Sequence, residues 1–153
     1  MNTLQDIENF VSCKKLAVAG ASRKKQSFSA SVIDHLKLKG YTVYSINPNF
    51  SENNADLNEF RSPDKLPEDV KHLLVLTNPQ QTLAVIKSAF EHGINDIWIQ
   101  QKSETPEVKE FCGNNNINAI FHQCIFMFTQ PEGMHKFHYR LKKFFGGLPA
   151  NRN

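Results

Sequence analysis

The sequence predicts an α/β domain: a single Rossmann-like, doubly wound unit of five mostly parallel strands with helices on both faces, followed by a C-terminal amphipathic helix. Three observations carry this expectation. Short apolar runs alternate with stretches of helical periodicity along the chain, the pattern of a parallel sheet built from crossover units. The runs show little polar alternation, as expected of strands covered on both sides. Right-handed crossovers then distribute the helices over both faces of the sheet. At 153 residues the chain has the length of one ordinary domain, a size that folds without a disulfide or a structural metal.

The elements follow in order. Leu16-Ala17-Val18-Ala19 ends at Gly20 and reads as a buried strand. The polar turn after it leads to Ser27 or Ser29, either of which can cap a helix. That helix sets Val32, Ile33 and Leu36 on one face and stops at Gly40. A second strand, from Tyr41 to Ile46, must leave the sheet at Asn47-Pro48-Asn49, because proline cannot continue an interior strand. Residues 51–70 are polar and read as a loop with one short helix. His72 to Thr77 is the third strand. Asn78-Pro79-Gln80-Gln81 then has the form of an N-cap, a proline at the first helical position and a capping-box glutamine. Leu83, Ile86 and Phe90 share a face of the helix that follows, up to Gly93. Asp96 to Gln100 is the fourth strand, Thr105-Pro106 opens a short helix, and Asn118 to Phe121 is the fifth strand. Met134, Phe137, Leu141 and Phe145 recur at helical steps, which divides the chain into a domain over residues 1–130 and an appended basic helix and tail over residues 131–153.

Charge narrows the possible partners. Residues 131–153 carry five basic residues and one acid, whereas residues 1–130 carry 13 basic and 14 acidic. The body is nearly neutral, a poor footprint for nucleic acid, which needs a broad basic face. The appended apolar stripe is expected to pack on the domain, on a second copy or on a partner protein. Apolar runs such as Leu73–Leu76 and Ile125–Phe128 are far short of the ~20 residues of a membrane helix. The first residues lack the basic flank and apolar core of a leader. Cys13, Cys112 and Cys124 are odd in number and widely spaced. That argues against zinc and for a reducing, cytoplasmic setting. His135 and His138, and His122 near Cys124, read as packing or surface side chains, so no metal site is assigned. Cys124 reads as an inert thiol, with a reactive one as the sharper alternative.

In a doubly wound sheet the ligand lies outside the carboxyl ends of the strands. Those ends are Gly20-Ala21-Ser22, Asn47-Pro48-Asn49, Thr77-Asn78-Pro79 and Gln100-Gln101. None contains a carboxylate, a histidine or a cysteine. The rim is rich in hydrogen-bonding groups and poor in acids, bases and nucleophiles, so no catalytic residue is assigned. The first turn is a phosphate-binding candidate: Gly20 permits a tight turn, Ser22 lets amides approach an anion, and Arg23, Lys24 and Lys25 add charge. A side chain at Gly20 is therefore expected to damage ligand binding more than folding. The dinucleotide fingerprint is incomplete. Ser22 and Lys25 occupy the second and third glycine positions, and the acid that would hold an NAD ribose is replaced by Asn47-Pro48-Asn49.

Val18 to Ser22, Gly40 to Pro48, the Pro79 loop and Trp98-Ile99-Gln100-Gln101, in this order and spacing, resemble the stand-alone CoA-binding domain family. That family is related to the nucleotide-binding domain of succinyl-CoA synthetase, and the resemblance covers roughly residues 10–128. A cysteine near Cys124 also fits. The resemblance implies a five-strand Rossmann-like fold with CoA along the strand ends. Gly20, Ala21, Ser22 and the cations Arg23 and Lys25 would hold phosphates, and Asn47, Pro48 and Asn49 would border the adenosine. Thr77, Asn78, Pro79, Gln100 and Gln101 would line the pocket further along. Where the family usually has glycine after the Trp-x-Gln-x segment, this chain has Lys102 and Ser103. The leading expectation is a CoA or acyl-CoA binding protein without catalytic machinery of its own. An NAD(P)-binding enzyme or enzyme subunit, and an assembly protein with a vestigial pocket, are the alternatives.

Overall fold

In the computed structural model residues 2–129 are described. They form a three-layer sandwich around one sheet. In chain order the elements are α1 (Leu4–Ser12), β1 (Lys15–Ala19), α2 (Phe28–Leu38), β2 (Thr42–Ile46), β3 (Glu59–Phe60), a 3-10 turn (Pro63–Lys65), β4 (His72–Val75), α3 (Pro79–Glu91), β5 (Asp96–Ile99), α4 (Pro106–Asn114), β6 (Asn118–Ile120) and a second 3-10 turn (Ile125–Met127). The sheet has six strands in the order β3-β2-β1-β4-β5-β6, and every neighbouring pair is parallel. The chain winds outward from β1 in one direction, returns, and winds outward from β4 in the other. The switch point therefore lies between β1 and β4.

The sheet has six strands where five were expected. The extra one is β3, two residues long, whose Glu59 and Phe60 register with Ser45 and Ile46 of β2. A strand this short, set in a polar loop, has no periodicity to betray it. The N-terminal helix α1 was also unassigned, although its start is written in Thr3-x-x-Asp6. The Thr3 hydroxyl accepts the Asp6 amide at 3.1 Å, and the Asp6 carboxylate accepts the Thr3 amide at 2.7 Å, a reciprocal capping box.

The strands alternate between two cores. Leu16, Val18, Leu74, Trp98 and Ile120 face α1 and α2, where they meet Ile7, Phe10, Val32 and Leu36. Ala17, Ala19, Leu73, Val75, Ile97 and Ile99 face α3 and α4, where they meet Ile86, Ala89, Val108 and Cys112. Trp98 is fully buried and anchors the first core between Phe10 and Phe128, at ring-centroid distances of 5.5 and 5.7 Å. On α3 the deepest stripe is Thr82, Ile86 and Ala89, with Leu83 and Phe90 half-buried beside it. Burying a Leu- or Ile-sized side chain is worth roughly 1.5–3 kcal/mol, so these stripes hold the layers and fix the positions of the strand ends. The expected helix over residues 131–153 lies outside the described residues. No helix among the described residues is long and apolar enough to cross a membrane.

Candidate functional site at the strand ends

The carboxyl ends of β1, β2, β3 and β4 open into a cleft of about 560 Å³. Gly20, Ala21 and Ser22 form its β1 side, Asn47, Pro48 and Asn49 its β2 side, and Thr77 its β4 side. Arg61, Ser62 and Pro63 close it beyond β3, and Gln80, Gln81, Ala84, Val85 and Ser88 supply a wall from α3. A second cleft, of about 640 Å³, lies on the other side of the α3 N-terminus. Asn78, Pro79, Gln100, Gln101, Lys102, Ser103 and Cys124 line it, with Phe28 and Leu76 as its apolar part. Thr77 lines both. The two clefts thus meet at the switch point, on either side of the first turn of α3.

Eleven of the thirteen rim residues singled out from the sequence line one cleft or both. Arg23 and Lys25 do not. They line a separate groove of about 550 Å³ along the outer side of α2, which Asp34, Lys37 and Glu59 share. Ala21 and Ser22 border both this groove and the first cleft. In a tight turn the residue after Ser22 already lies on the other side of the backbone, and nearness in sequence does not reveal which side.

The first turn is largely satisfied by the protein itself. The amides of Gly20 and Ala21 both donate to the Ile46 carbonyl, at 3.1 and 3.2 Å. The Ser22 amide donates to Ser29 Oγ at 2.9 Å, and the Lys24 amide to Ser22 Oγ at 3.1 Å. Ser27, not Ser29, is the N-cap of α2, and its hydroxyl accepts the Ala30 amide at 3.1 Å. Gly20 has φ +88, and a Cβ there would lie 2.8 Å from the Leu76 carbonyl carbon and 2.9 Å from the Thr77 amide nitrogen. A side chain at Gly20 would therefore press on the protein's own backbone at the edge of the cleft. Gly20 is what lets β1 and β4 end side by side.

Asn47 is likewise a brace of the rim. Its Nδ2 donates to the Ala21 carbonyl at 2.6 Å, and its Oδ1 accepts the Asn49 amide at 2.8 Å. The second cleft is stitched from distant segments. Ser103 Oγ donates to the Thr77 carbonyl at 2.6 Å. Gln100, 4% exposed, accepts the Ile125 amide on Oε1 at 3.1 Å. Gln101 Nε2 donates to the His122 carbonyl at 3.1 Å. The capping box expected for α3 does not form: Asn78 is the N-cap residue but its side chain makes no cap hydrogen bond.

Among the described residues Arg61 is the one charged residue lining the first cleft, and neither cleft has a carboxylate or histidine in its lining. Sequence reasoning missed Arg61, because only the pairing of β3 with β2 brings it to the rim. The α3 wall had a signal: Gln81, Ala84, Val85 and Ser88 recur at i, i+3, i+4 and i+7, a helical stripe of small and polar residues continuing from the rim. Near the first cleft, the Ser62 hydroxyl and Lys65 hold the Asp64 carboxyl below the usual carboxylate range. Of the cysteines, Cys112 is buried, and burial pushes its thiol up to about 11. Among the described residues no group of three or more His, Cys, Asp or Glu side chains is arranged around a metal position. His122 instead meets Glu104 through Nδ1 at 2.8 Å and Lys109 through Nε2 at 3.1 Å.

A family model for the CoA binding domain matches residues 14–130. The chain belongs to this family. A conserved hypothetical protein from Pyrococcus furiosus is 31% identical to this CoA-binding domain, with a TM-score of 0.68 over 73% of this chain and 96% of that one. A hypothetical protein from Pyrococcus horikoshii OT3 is 21% identical, with a TM-score of 0.71 over 82% and 92% of the two chains. A Thermus thermophilus protein is 22% identical, with a TM-score of 0.72 over 91% and 99%. The last two share the fold. No curated protein matches the sequence. Lys102, on the rim of the second cleft, adopts φ 76, a left-handed conformation unfavourable to a side chain.

Proposed function

We propose that the chain is a binding module for CoA or acyl-CoA, with the ligand laid along the carboxyl ends of the strands. The adenosine occupies the first cleft beside Asn47, Pro48 and Asn49. The pantetheine chain passes over the Gly20–Thr77 contact and reaches the second cleft, where Phe28, Leu76 and Cys124 surround the thiol or acyl end. The observation that carries this reading is that two clefts of comparable size meet at Thr77. A long ligand with a bulky head and a thin arm matches that shape better than a compact mononucleotide.

The chemistry of the lining supports binding over catalysis. Among the described residues the first cleft offers one cation, neutral amides and hydroxyls, and an apolar floor, with no group suited to proton transfer near neutral pH. For an NAD-type ligand, the end of β2 would need a free acceptor for the ribose hydroxyls. Asn47 Oδ1 is engaged with the Asn49 amide instead.

Thermal unfolding of the full chain with added nucleotides tests the reading. CoA at 100 times its dissociation constant should stabilise the protein by about 2.7 kcal/mol, and NAD at the same concentration should not. A shift with NAD and none with CoA overturns it. Native mass spectrometry of protein purified without added ligand should show a CoA or acyl-CoA mass.

A further inference from the structure

The first cleft continues past Pro48, Arg61 and Ser62 into a small hollow of about 370 Å³, whose remaining lining is Asn53 and Lys65. Two cations border this hollow, but they are not equivalent. Lys65 Nζ lies 2.9 Å from the Asp64 carboxylate, and this pair is neutral overall. Among the described residues no carboxylate pairs with Arg61. Its backbone amide donates to Asn53 Oδ1 at 2.8 Å, and its Nε donates to the Pro48 carbonyl at 3.4 Å. Both bonds hold the residue against the end of β2. The two Nη groups, with four N–H donors, are left to the cleft and the hollow. A guanidinium in that state suits a phosphate monoester, which it can engage with two parallel hydrogen bonds.

The end of β2 is where an adenosine ribose sits in a doubly wound nucleotide site. The acid that would select free ribose hydroxyls is absent there, and Arg61 brings a positive charge to the same place. The first turn cannot substitute for it: Arg23 and Lys25 face the outer groove, and four of the turn's amides are engaged within the protein.

We propose that Arg61 is a specificity-determining residue that holds the phosphate on the adenosine ribose, and so selects CoA over dephospho-CoA. The proposal rests on the CoA reading above and deepens it. The same chemistry, an adenosine carrying a ribose phosphate, also occurs in NADP, so the test includes both nucleotide pairs.

Titration calorimetry on the full chain compares CoA with dephospho-CoA, and NADP with NAD, for the wild type, Arg61→Gln, Arg61→Lys and Lys65→Gln. The wild type should bind CoA about tenfold more tightly than dephospho-CoA, the size of effect expected of a charge-assisted bond. Arg61→Gln should bind both alike, at the wild-type affinity for dephospho-CoA. Arg61→Lys should keep part of the preference. Lys65→Gln should change it by less than about threefold, as for an exposed pair. Arg61 is exposed, so the variants should melt as the wild type does. An Arg61→Gln protein that keeps the full preference overturns the assignment, as does a wild type that binds both CoA forms equally. If the wild type binds neither CoA form but prefers NADP over NAD, and Arg61→Gln abolishes that preference, the CoA reading fails while the phosphate site stands.

Discussion

Helices α2 and α3 both begin at the rim, one on each side of the switch point, and α2 has a side-chain cap where α3 has none. At α2 Ser27 takes the Ala30 amide, and in the loop before the helix Ser29 takes the Ser22 amide and Ser22 the Lys24 amide. At α3 the N-cap Asn78 makes no such bond, Pro79 has no amide hydrogen to offer, and both are exposed to the second cleft. Helix N-terminal amides must be satisfied by caps, water or ligand. A glycine-serine turn with nearby lysines therefore reads as the phosphate loop, yet here it is closed upon itself. The quieter Asn-Pro turn lies between two clefts with no side-chain cap, its Gln81 amide held only by the Asn78 carbonyl at 3.1 Å.

The largest expected effect breaks the comparison at its base. Gly20→Val puts a branched side chain at φ +88 against the Leu76–Thr77 backbone, which separates the α2 turn from the α3 turn. It should destabilise the fold by about 3 kcal/mol, from overpacking and left-handed strain together, measured by urea unfolding. A variant as stable as the wild type would show that the strand ends can part without cost.

Ser27→Ala removes the α2 cap. Stability should fall by about 1 kcal/mol, while CoA affinity stays within about twofold because the cap does not face the clefts. Loss of CoA binding by the folded variant would return the α2 turn to the ligand site.

On the α3 side, Lys102→Gly should stabilise by about 0.7 kcal/mol, since relief of the left-handed strain exceeds the added freedom of the unfolded chain. A loss of stability would mean that Lys102 makes a compensating interaction.

Asn78→Asp gives the smallest change in stability and the sharpest contrast in sign. An aspartate can cap α3 and favours its N-terminal dipole, for a gain of about 0.5 kcal/mol. The same negative charge beside a phosphate-bearing ligand should weaken CoA several-fold. Paired melting and titration measurements separate the two effects. A gain in affinity would show that no anion approaches that turn.

These contrasts mark what could be read from the chain and what could not. The strands β1, β2, β4, β5 and β6 were legible because each is a short apolar run stopped by Gly20, Pro48, Asn78, a glutamine pair or His122. The helices were legible where caps and apolar steps agreed, and α1 was as well marked as any, through Thr3 and Asp6. Alternation of strands and helices implied the parallel sheet, and that in turn implied that the strand ends form one rim. Most of the rim residues were within reach for that reason alone.

Local pattern encodes which face of an element is buried, not what lies across from it. Arg61 comes to the cleft because two residues of β3 pair with Ser45 and Ile46, an arrangement with no periodic signature. Ser103 reaches the Thr77 carbonyl across 26 positions, and Gln100 reaches the Ile125 amide across 25. Arg23 and Lys25 lie one and three residues after Ser22 and yet line another groove. Whether a serine meets a phosphate or its own backbone, and whether a cation meets a ligand or a carboxylate, depends on distances of about 3 Å between residues far apart in the chain. Packing of the two cores on the twisted sheet sets those distances, so they exist only once the whole domain has closed.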